Sequence, residues 1–154
     1  MKEYIDFLKD KMAISHQTGF EVKAEELTSS LYPHVKDTVR WAVAGGCRAI
    51  FSSFGMQKTV TQLEICRVII NQYFGKALIV CPKRVVVEFI TQAKEHMNMT
   101  VKYVKNMSEV RACKCDIMIT NYERVRDGED GVRIEPSYFT VTSLDEASVL
   151  RGYG

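Results

Sequence analysis

Residues 77–97 read ALIVCPKRVVVEFITQAKEHM, and their order decides the fold class. The first five are continuously apolar, which marks a strand covered on both faces, because a half-solvated strand alternates apolar with polar. Pro82 ends it. Beyond the break, Val86, Phe89, Ile90, Ala93 and Met97 recur at helical spacing and predict an amphipathic helix. A doubly buried strand followed by a helix that packs back onto it is the unit from which parallel sheets are built.

The same alternation extends in both directions. Upstream, residues 48–52 (RAIFS) read as a short buried strand. Residues 58–74 read as a helix, with Leu63, Cys66, Ile70 and Tyr73 on one side and Gly75 as the stop. Downstream, residues 101–104 and 116–120 (DIMIT) are two further strands around a helical turn at 107–112. After the polar stretch RDGEDGVRIEPS, residues 138–144 (YFTVTSL) form the last strand. The expected architecture is α/β: a doubly wound, mostly parallel sheet with helices on both faces. Ahead of it, Pro33 opens a helix whose Val39, Ala42 and Val43 share a face, closed by Gly45-Gly46. Residues 24–31 give a short helical stretch, and Ile5, Leu8 and Met12 place another near the N-terminus. The domain reading is a helical preamble over 1–30 and one lobe over 31–154, with no internal repeat.

Composition bounds what this lobe does. A chain of 154 residues and 46% hydrophobic content fills one core, which excludes two independent catalytic domains. Lys+Arg 21 against Asp+Glu 19 leaves a net charge of +2, too balanced for a polycation, so nucleic-acid binding has to come from a local patch. No apolar run approaches the ~20 residues of a membrane helix, and MKEYIDFLKDKM carries acids that a targeting peptide lacks. A cytoplasmic protein with no membrane association is expected. Cys47, Cys66, Cys81, Cys113 and Cys115 are an odd set, three in apolar or strand-like contexts, so free thiols are expected.

In an open α/β sheet ligands bind beyond the carboxyl ends of the strands. The turn after residues 48–52 runs Ser52-Ser53-Phe54-Gly55-Met56-Gln57-Lys58-Thr59. Against the phosphate-binding pattern G-x-x-x-x-G-K-S/T, Lys58 and Thr59 match in a strand-turn-helix setting, while Ser52 and Gln57 stand where the pattern has glycine. Asp145-Glu146 follows the last strand directly. One carboxylate there suits Mg²⁺ and its neighbour suits orienting a water, although acids at a helix start give the same pattern.

Taken in order, PHV at 33–35, FGMQKT at 54–59, LIVCP at 78–82, TNYE at 120–123 and LDEAS at 144–148 resemble the first RecA-like lobe of superfamily 2 helicases, on the remodeller-type and phage or prophage branch with DEAD/DEAH-like motifs. The resemblance covers about residues 31–154 and implies ATP and Mg²⁺ as ligands. It assigns the phosphate loop to Gly55, Gln57, Lys58 and Thr59, with Lys58 on the β and γ phosphates. Mg²⁺ falls to Thr59 and Asp145, and the hydrolytic water to the catalytic pair Asp145 and Glu146. A nucleic-acid track, with DNA as ligand, maps to Pro82, Lys83, Thr120, Asn121 and Tyr122.

Three departures qualify those roles. Gln57 stands where the family carries glycine, and a side chain there crowds the phosphate at a strain of roughly 1–3 kcal/mol. Val35 replaces an adenine-reading glutamine. The chain ends at Gly154, before the family's next motif and its second lobe. The expectation is a helicase-lobe-derived phage protein that does not hydrolyse ATP alone. It acts by binding a partner, either a nucleic-acid machine or a host defence complex, or by self-association. The alternative is an ATP-binding lobe active once a second lobe or chain completes it. By the same resemblance, residues 48–52 are expected at a sheet edge with an apolar Ala49-Ile50-Phe51 surface.

The remaining candidates are bland. Cys113-x-Cys115 lacks a second Cys/His pair at zinc spacing, with His16, His34 and His96 scattered. Lys102, Lys105, Arg111 and Lys114 around Tyr103 read as a solvated basic face. Trp41 is expected in the core.

Overall fold

The computed structural model describes residues 17–53, 55–128 and 132–147. Helix α1 (Pro33–Gly45) and helix α2 (Lys58–Tyr73) precede the first strand, β1 (Ala77–Cys81). A 3-10 turn at Lys83–Val85 leads into α3 (Val86–Met97), followed by β2 (Val101–Tyr103), α4 (Met107–Ala112), β3 (Ile117–Asn121) and α5 (Tyr122–Arg126). A second 3-10 turn, Pro136–Tyr138, precedes β4 (Val141–Leu144). The four strands form one parallel sheet in the order β2-β3-β1-β4. The protein is α/β, as its apolar runs predict.

The continuous run ALIVC is explained by where its side chains go. Ala77, Ile79 and Cys81 pack with Leu63, Cys66 and Ile70 of α2 and with Phe89 and Ala93 of α3. Leu78 and Val80 point the other way, into a cluster with Val104, Met107, Val110, Ile134 and Phe139. Every residue of β1 is therefore buried, and so is every residue of β3. Helices cover both faces of the sheet, two long ones on the first and the short α4 on the second.

A third cluster joins Val22, Leu27 and Leu31 to Val35, Val39 and Val43 of α1 and to Val60 and Val68 of α2. Val22, Leu27 and Leu31 thus pack into the same core as the helices that follow. A buried carboxylate fastens them: Glu64 accepts from Thr28 N–H at 2.7 Å and Thr28 Oγ1 at 3.0 Å. Arg67 donates to both Glu64 oxygens at 2.8 and 2.7 Å and to Glu26 O at 2.9 Å. Burial alone pushes the Glu64 carboxyl up, but the Arg67 guanidinium and the two Thr28 donors outweigh it and hold the group below its ordinary value.

At the other end of α2, the close approach of Gly75 to Thr140 sets where β4 begins. A Cβ on residue 75 would stand 1.7 Å from Thr140 Oγ1, so only glycine fits without displacement. Thr140 N–H donates to Lys76 O at 2.9 Å, and the ladder then runs Ala77 opposite Val141 to Val80 opposite Leu144.

Four expectations need correction. Residues 48–52 are not a strand: they run as irregular chain, with Phe51 94% exposed. A strand needs a ladder neighbour, and among the described residues nothing pairs with the outer side of β4, so β4 is the edge on that side. The helical stretch at 24–31 shrinks to the 3-10 turn Ala24–Glu26, because Leu27 is extended and a separate turn follows, closed by Leu31 N–H donating to Thr28 O at 3.2 Å, with both leucines in the core. Residues 138–140 lie before β4 rather than in it. Trp41 is not core: it is 52% exposed, with the Arg48 guanidinium 5.5 Å from its ring centroid. The expected helix around Ile5, Leu8 and Met12 lies outside the described residues. Among the described residues no helix is long and apolar enough to cross a membrane.

Candidate functional site

Two chain reversals meet at the carboxyl ends of β1 and β4. The first leads into α2, whose N-cap is Gln57 in the left-handed region at φ 52, ψ 41. The geometry is the one a glycine adopts freely, and for a residue with a Cβ it costs roughly 1–2 kcal/mol. Gly55 is left-handed as well, at φ 79, with open space where its Cβ would stand. Lys58 and Thr59 then occupy the first turn of α2, where unpaired backbone N–H groups favour anions. The Lys58 ammonium donates to Ser52 O at 3.3 Å. Phe54 lies outside the described residues.

The second reversal follows β4. Asp145 N–H donates to Val80 O at 2.8 Å, which extends the ladder by one residue, and Tyr122 Oη donates to Asp145 O at 2.5 Å. Glu146 sits in a left-handed conformation at φ 52, and its Oε2 pairs with Arg84 at 2.8 Å. Both partners of that pair are well exposed, so it contributes no more than about 1 kcal/mol. Beneath the carboxylates, burial first and then the charges of Asp145 and Glu146 push the Cys81 thiol up to about 12. Tyr122 is pushed up to about 12 by burial, Asp145, Cys81 and Glu146. Both stay protonated at neutral pH and act as packing and hydrogen-bonding groups.

The two reversals bound one open cleft of about 370 Å³. Gly55, Gln57, Lys58, Thr59, Asp145 and Glu146, far apart in sequence, all line it. Helix α3 supplies the opposite wall with Glu88, Gln92 and His96. Thr59 Oγ1 donates to Glu88 Oε1 at a long 3.4 Å, and Gln92 Nε2 donates to the same oxygen at 2.9 Å. The Thr59 hydroxyl and Asp145 carboxylate are hard oxygen donors of the type Mg²⁺ takes. Three carboxylates, Glu88, Asp145 and Glu146, line the cleft with the Lys58 ammonium, and Glu146 is paired with Arg84.

The residues mapped to a nucleic-acid track divide. Lys83 is exposed and Pro82 half-buried on the segment after β1. Thr120 is fully buried and donates to Val104 O at 2.8 Å, so it has no surface to offer a ligand. Asn121 is buried too, accepting from Tyr103 Oη at 2.6 Å and donating to Glu123 Oε2. Tyr122 is half-buried and spends its hydroxyl on Asp145. Val35, at the position where resemblance expects an adenine-reading amide, is 1% exposed and belongs to the core. Among the described residues no group of three or more His, Cys, Asp and Glu side chains is gathered for a metal ion.

Sequence reading missed Gln62, Glu88 and Arg84. Gln62 and Glu88 sit on helices, where polar residues read as solvated faces, and the contacts they make bridge segments tens of residues apart. Arg84 follows a recognised strand end, but nothing local points it toward Glu146.

No protein-family model matches the chain, and no curated protein matches it. Among solved structures, the crystal structure of the UvsW helicase from bacteriophage T4 matches over 97% of this chain with a TM-score of 0.66 at 12% identity. The chain spans 61% of the length of that structure. At that identity the likeness speaks to fold alone: a parallel four-stranded sheet with flanking helices in a RecA-like arrangement.

Proposed function

We propose that this chain is a helicase-lobe-derived protein that receives the phosphate tail of ATP weakly, with Mg²⁺, and does not turn it over unaided. The observation that carries the proposal is the gathering of Lys58 and Thr59, at the start of α2, with Asp145 and Glu146, at the end of β4, around one cleft. In this reading the first-turn N–H groups of α2 and the Lys58 ammonium hold phosphate oxygens. Thr59 and Asp145 hold Mg²⁺, which supplies charge neutralisation at the phosphates when bound. Glu146 is the group placed to orient a water.

Three features support weak binding without turnover. Gln57 brings a side chain to the loop at a glycine-type conformation. Glu88 adds a carboxylate beside Thr59. Val35 is buried and reads no base. The protein then works through a partner, a second protein body or a second copy, and the open outer side of β4 is a place for one.

The intact set of Lys58, Thr59, Asp145 and Glu146 favours a second reading, an ATP-binding lobe that becomes active when another body completes the cleft. Calorimetric titration of ATP into the chain, with Mg²⁺ and then with EDTA, tests both. Millimolar binding that Mg²⁺ strengthens and Lys58 supports, with no phosphate release, is expected. Turnover by the chain alone would overturn the first reading, and absence of any Lys58-dependent binding would overturn both.

A further inference from the structure

The Asp145 carboxylate is held at one oxygen only. Gln62, in the second turn of α2, donates from Nε2 to Asp145 Oδ1 at 2.8 Å. Its own carbonyl, Oε1, accepts from Ser143 Oγ at 3.0 Å. The orientation of the amide is fixed by chemistry: a carboxylate accepts only, so the NH₂ must face Asp145, and Oε1 is left to take the Ser143 hydroxyl. The Asp145 backbone is tied on both sides of the same residue, to Val80 O and by Tyr122 Oη. Among the described residues Oδ2 makes no hydrogen bond.

We propose that Gln62 is a positioning residue for the cation-side carboxylate of the cleft: with Ser143 it pins Asp145 Oδ1 and leaves Oδ2 as the oxygen free to meet a divalent cation or its water. The proposal rests on the nucleotide reading above and adds the residue that sets its metal. A carboxylate free to rotate offers either oxygen at the cost of ordering it on binding, whereas a pinned one is already aimed. Outer partners of this type commonly change metal affinity about 10- to 100-fold when removed. Gln62 reaches Asp145 because residue 62 stands one turn after Lys58, on the side of α2 that faces β4.

The test uses the full chain and the variants Gln62→Leu and Ser143→Ala, each checked for cooperative thermal unfolding. Gln62→Leu is expected to weaken ATP binding in the presence of Mg²⁺ by about tenfold while leaving binding in EDTA unchanged, with Ser143→Ala smaller in the same direction. Equal loss with and without Mg²⁺ would overturn the proposal, because it would mark Gln62 as structural only. A second readout keeps the two readings apart: Mn²⁺ alone, without nucleotide, added to ¹⁵N-labelled protein. If the unaltered chain shows no Mg²⁺-dependent ATP binding, the nucleotide reading fails. Selective broadening of the Gln62 side-chain amide by Mn²⁺, lost in Asp145→Ala, still supports the positioning role, and an unaffected amide overturns it.

Discussion

Gln57 and Glu146 both line the cleft with the same left-handed backbone, φ 52 at each. Neither residue type favours that region, and such conformations persist only where the surrounding structure fixes them. In this chain they mark the two reversals that bring the Gly55–Thr59 segment and the Asp145-Glu146 pair to one cleft.

Replacing Gln57 by glycine removes the Cβ from the left-handed position and clears the loop. The relief of roughly 1–2 kcal/mol is offset in part by the ~0.5–1 kcal/mol of extra chain entropy that glycine loses on folding. Gln57→Gly is therefore expected to leave the melting temperature unchanged or slightly raised and to tighten Mg²⁺-ATP binding. Micromolar binding by the unaltered chain, abolished by Lys58→Ala, would show that the side chain at 57 is no obstacle.

Glu88 places a negative charge beside Thr59, where the metal and phosphates are expected. Glu88→Gln should strengthen ATP binding about fivefold, the equivalent of ~1 kcal/mol between charges separated by a few ångströms of solvated cleft. The gain should be larger in EDTA than in Mg²⁺, since the cation masks the repulsion. Calorimetry of the variant under both conditions checks it, and a loss of affinity would place Glu88 among the metal's own ligands instead.

Glu64 gives the fold a pH dependence with a definite sign. Its carboxyl is held below the ordinary value of 4.5, so its stabilising share is present above that value and is lost as pH falls through the lower, folded value. Urea unfolding between about pH 7 and pH 3 should show a falling limb at the acid end that Glu64→Gln flattens. At neutral pH that variant is expected to lose roughly 3–5 kcal/mol, because Arg67 loses its charged partner in a half-buried position and keeps only Glu26 O. An unchanged acid limb would assign the dependence to other carboxylates.

Nucleic-acid binding should be weak and steep in salt, since one exposed lysine and one arginine after β1 meet only a few phosphates. Lys83→Ala should flatten the slope of log affinity against log salt by about 0.7–0.9. Thr120→Val serves as the contrast: it removes the buried hydrogen bond to Val104 O, so about 1 kcal/mol of stability is lost while the slope is kept. Binding that persists at about 0.2 M salt would contradict a few-contact electrostatic complex.

Phe51 is almost wholly solvent-facing, and the outer side of β4 is unpaired among the described residues. Both features favour association. Light scattering should show self-association at high concentration, reduced by Phe51→Lys. A strictly monomeric chain whose solubility is indifferent to that change would remove the apolar segment from any interface.

The parts of the fold that were readable are those whose pattern is local. ALIVC predicts β1 to the residue because five apolar side chains in succession have to be shared between two faces, and they are. The 3-4-3 spacing of Leu63, Cys66, Ile70 and Tyr73 likewise predicts α2. RAIFS carries an equally strand-like local pattern and fails, because a ladder requires a neighbour that no local pattern records. The site divides the same way. Lys58, Thr59, Asp145 and Glu146, singled out from loop and strand-end chemistry, line one cleft, whereas Gln62 and Glu88 join it through contacts across the fold. Thr120 and Asn121 are buried, which no local pattern records: residues at the end of a buried strand place their side chains in the core as readily as at the surface.

The contact between Gly75 and Thr140 makes β4 a pushrod. From Thr140 to Asp145 the chain advances five residues, about 17 Å at ~3.3 Å each, and an extended strand neither stretches nor compresses to absorb a shift at its start. Any side chain at residue 75 must displace Thr140, and a strand that among the described residues has a neighbour on one side only has little to resist sliding. The displacement would arrive at the Asp145 carboxylate and, through Oδ1, at Gln62. A one-residue slip would set Leu144 where Asp145 now stands and turn the carboxylate to the opposite face. The cleft is thus adjusted from the far end of the sheet, by a glycine that touches none of its lining residues.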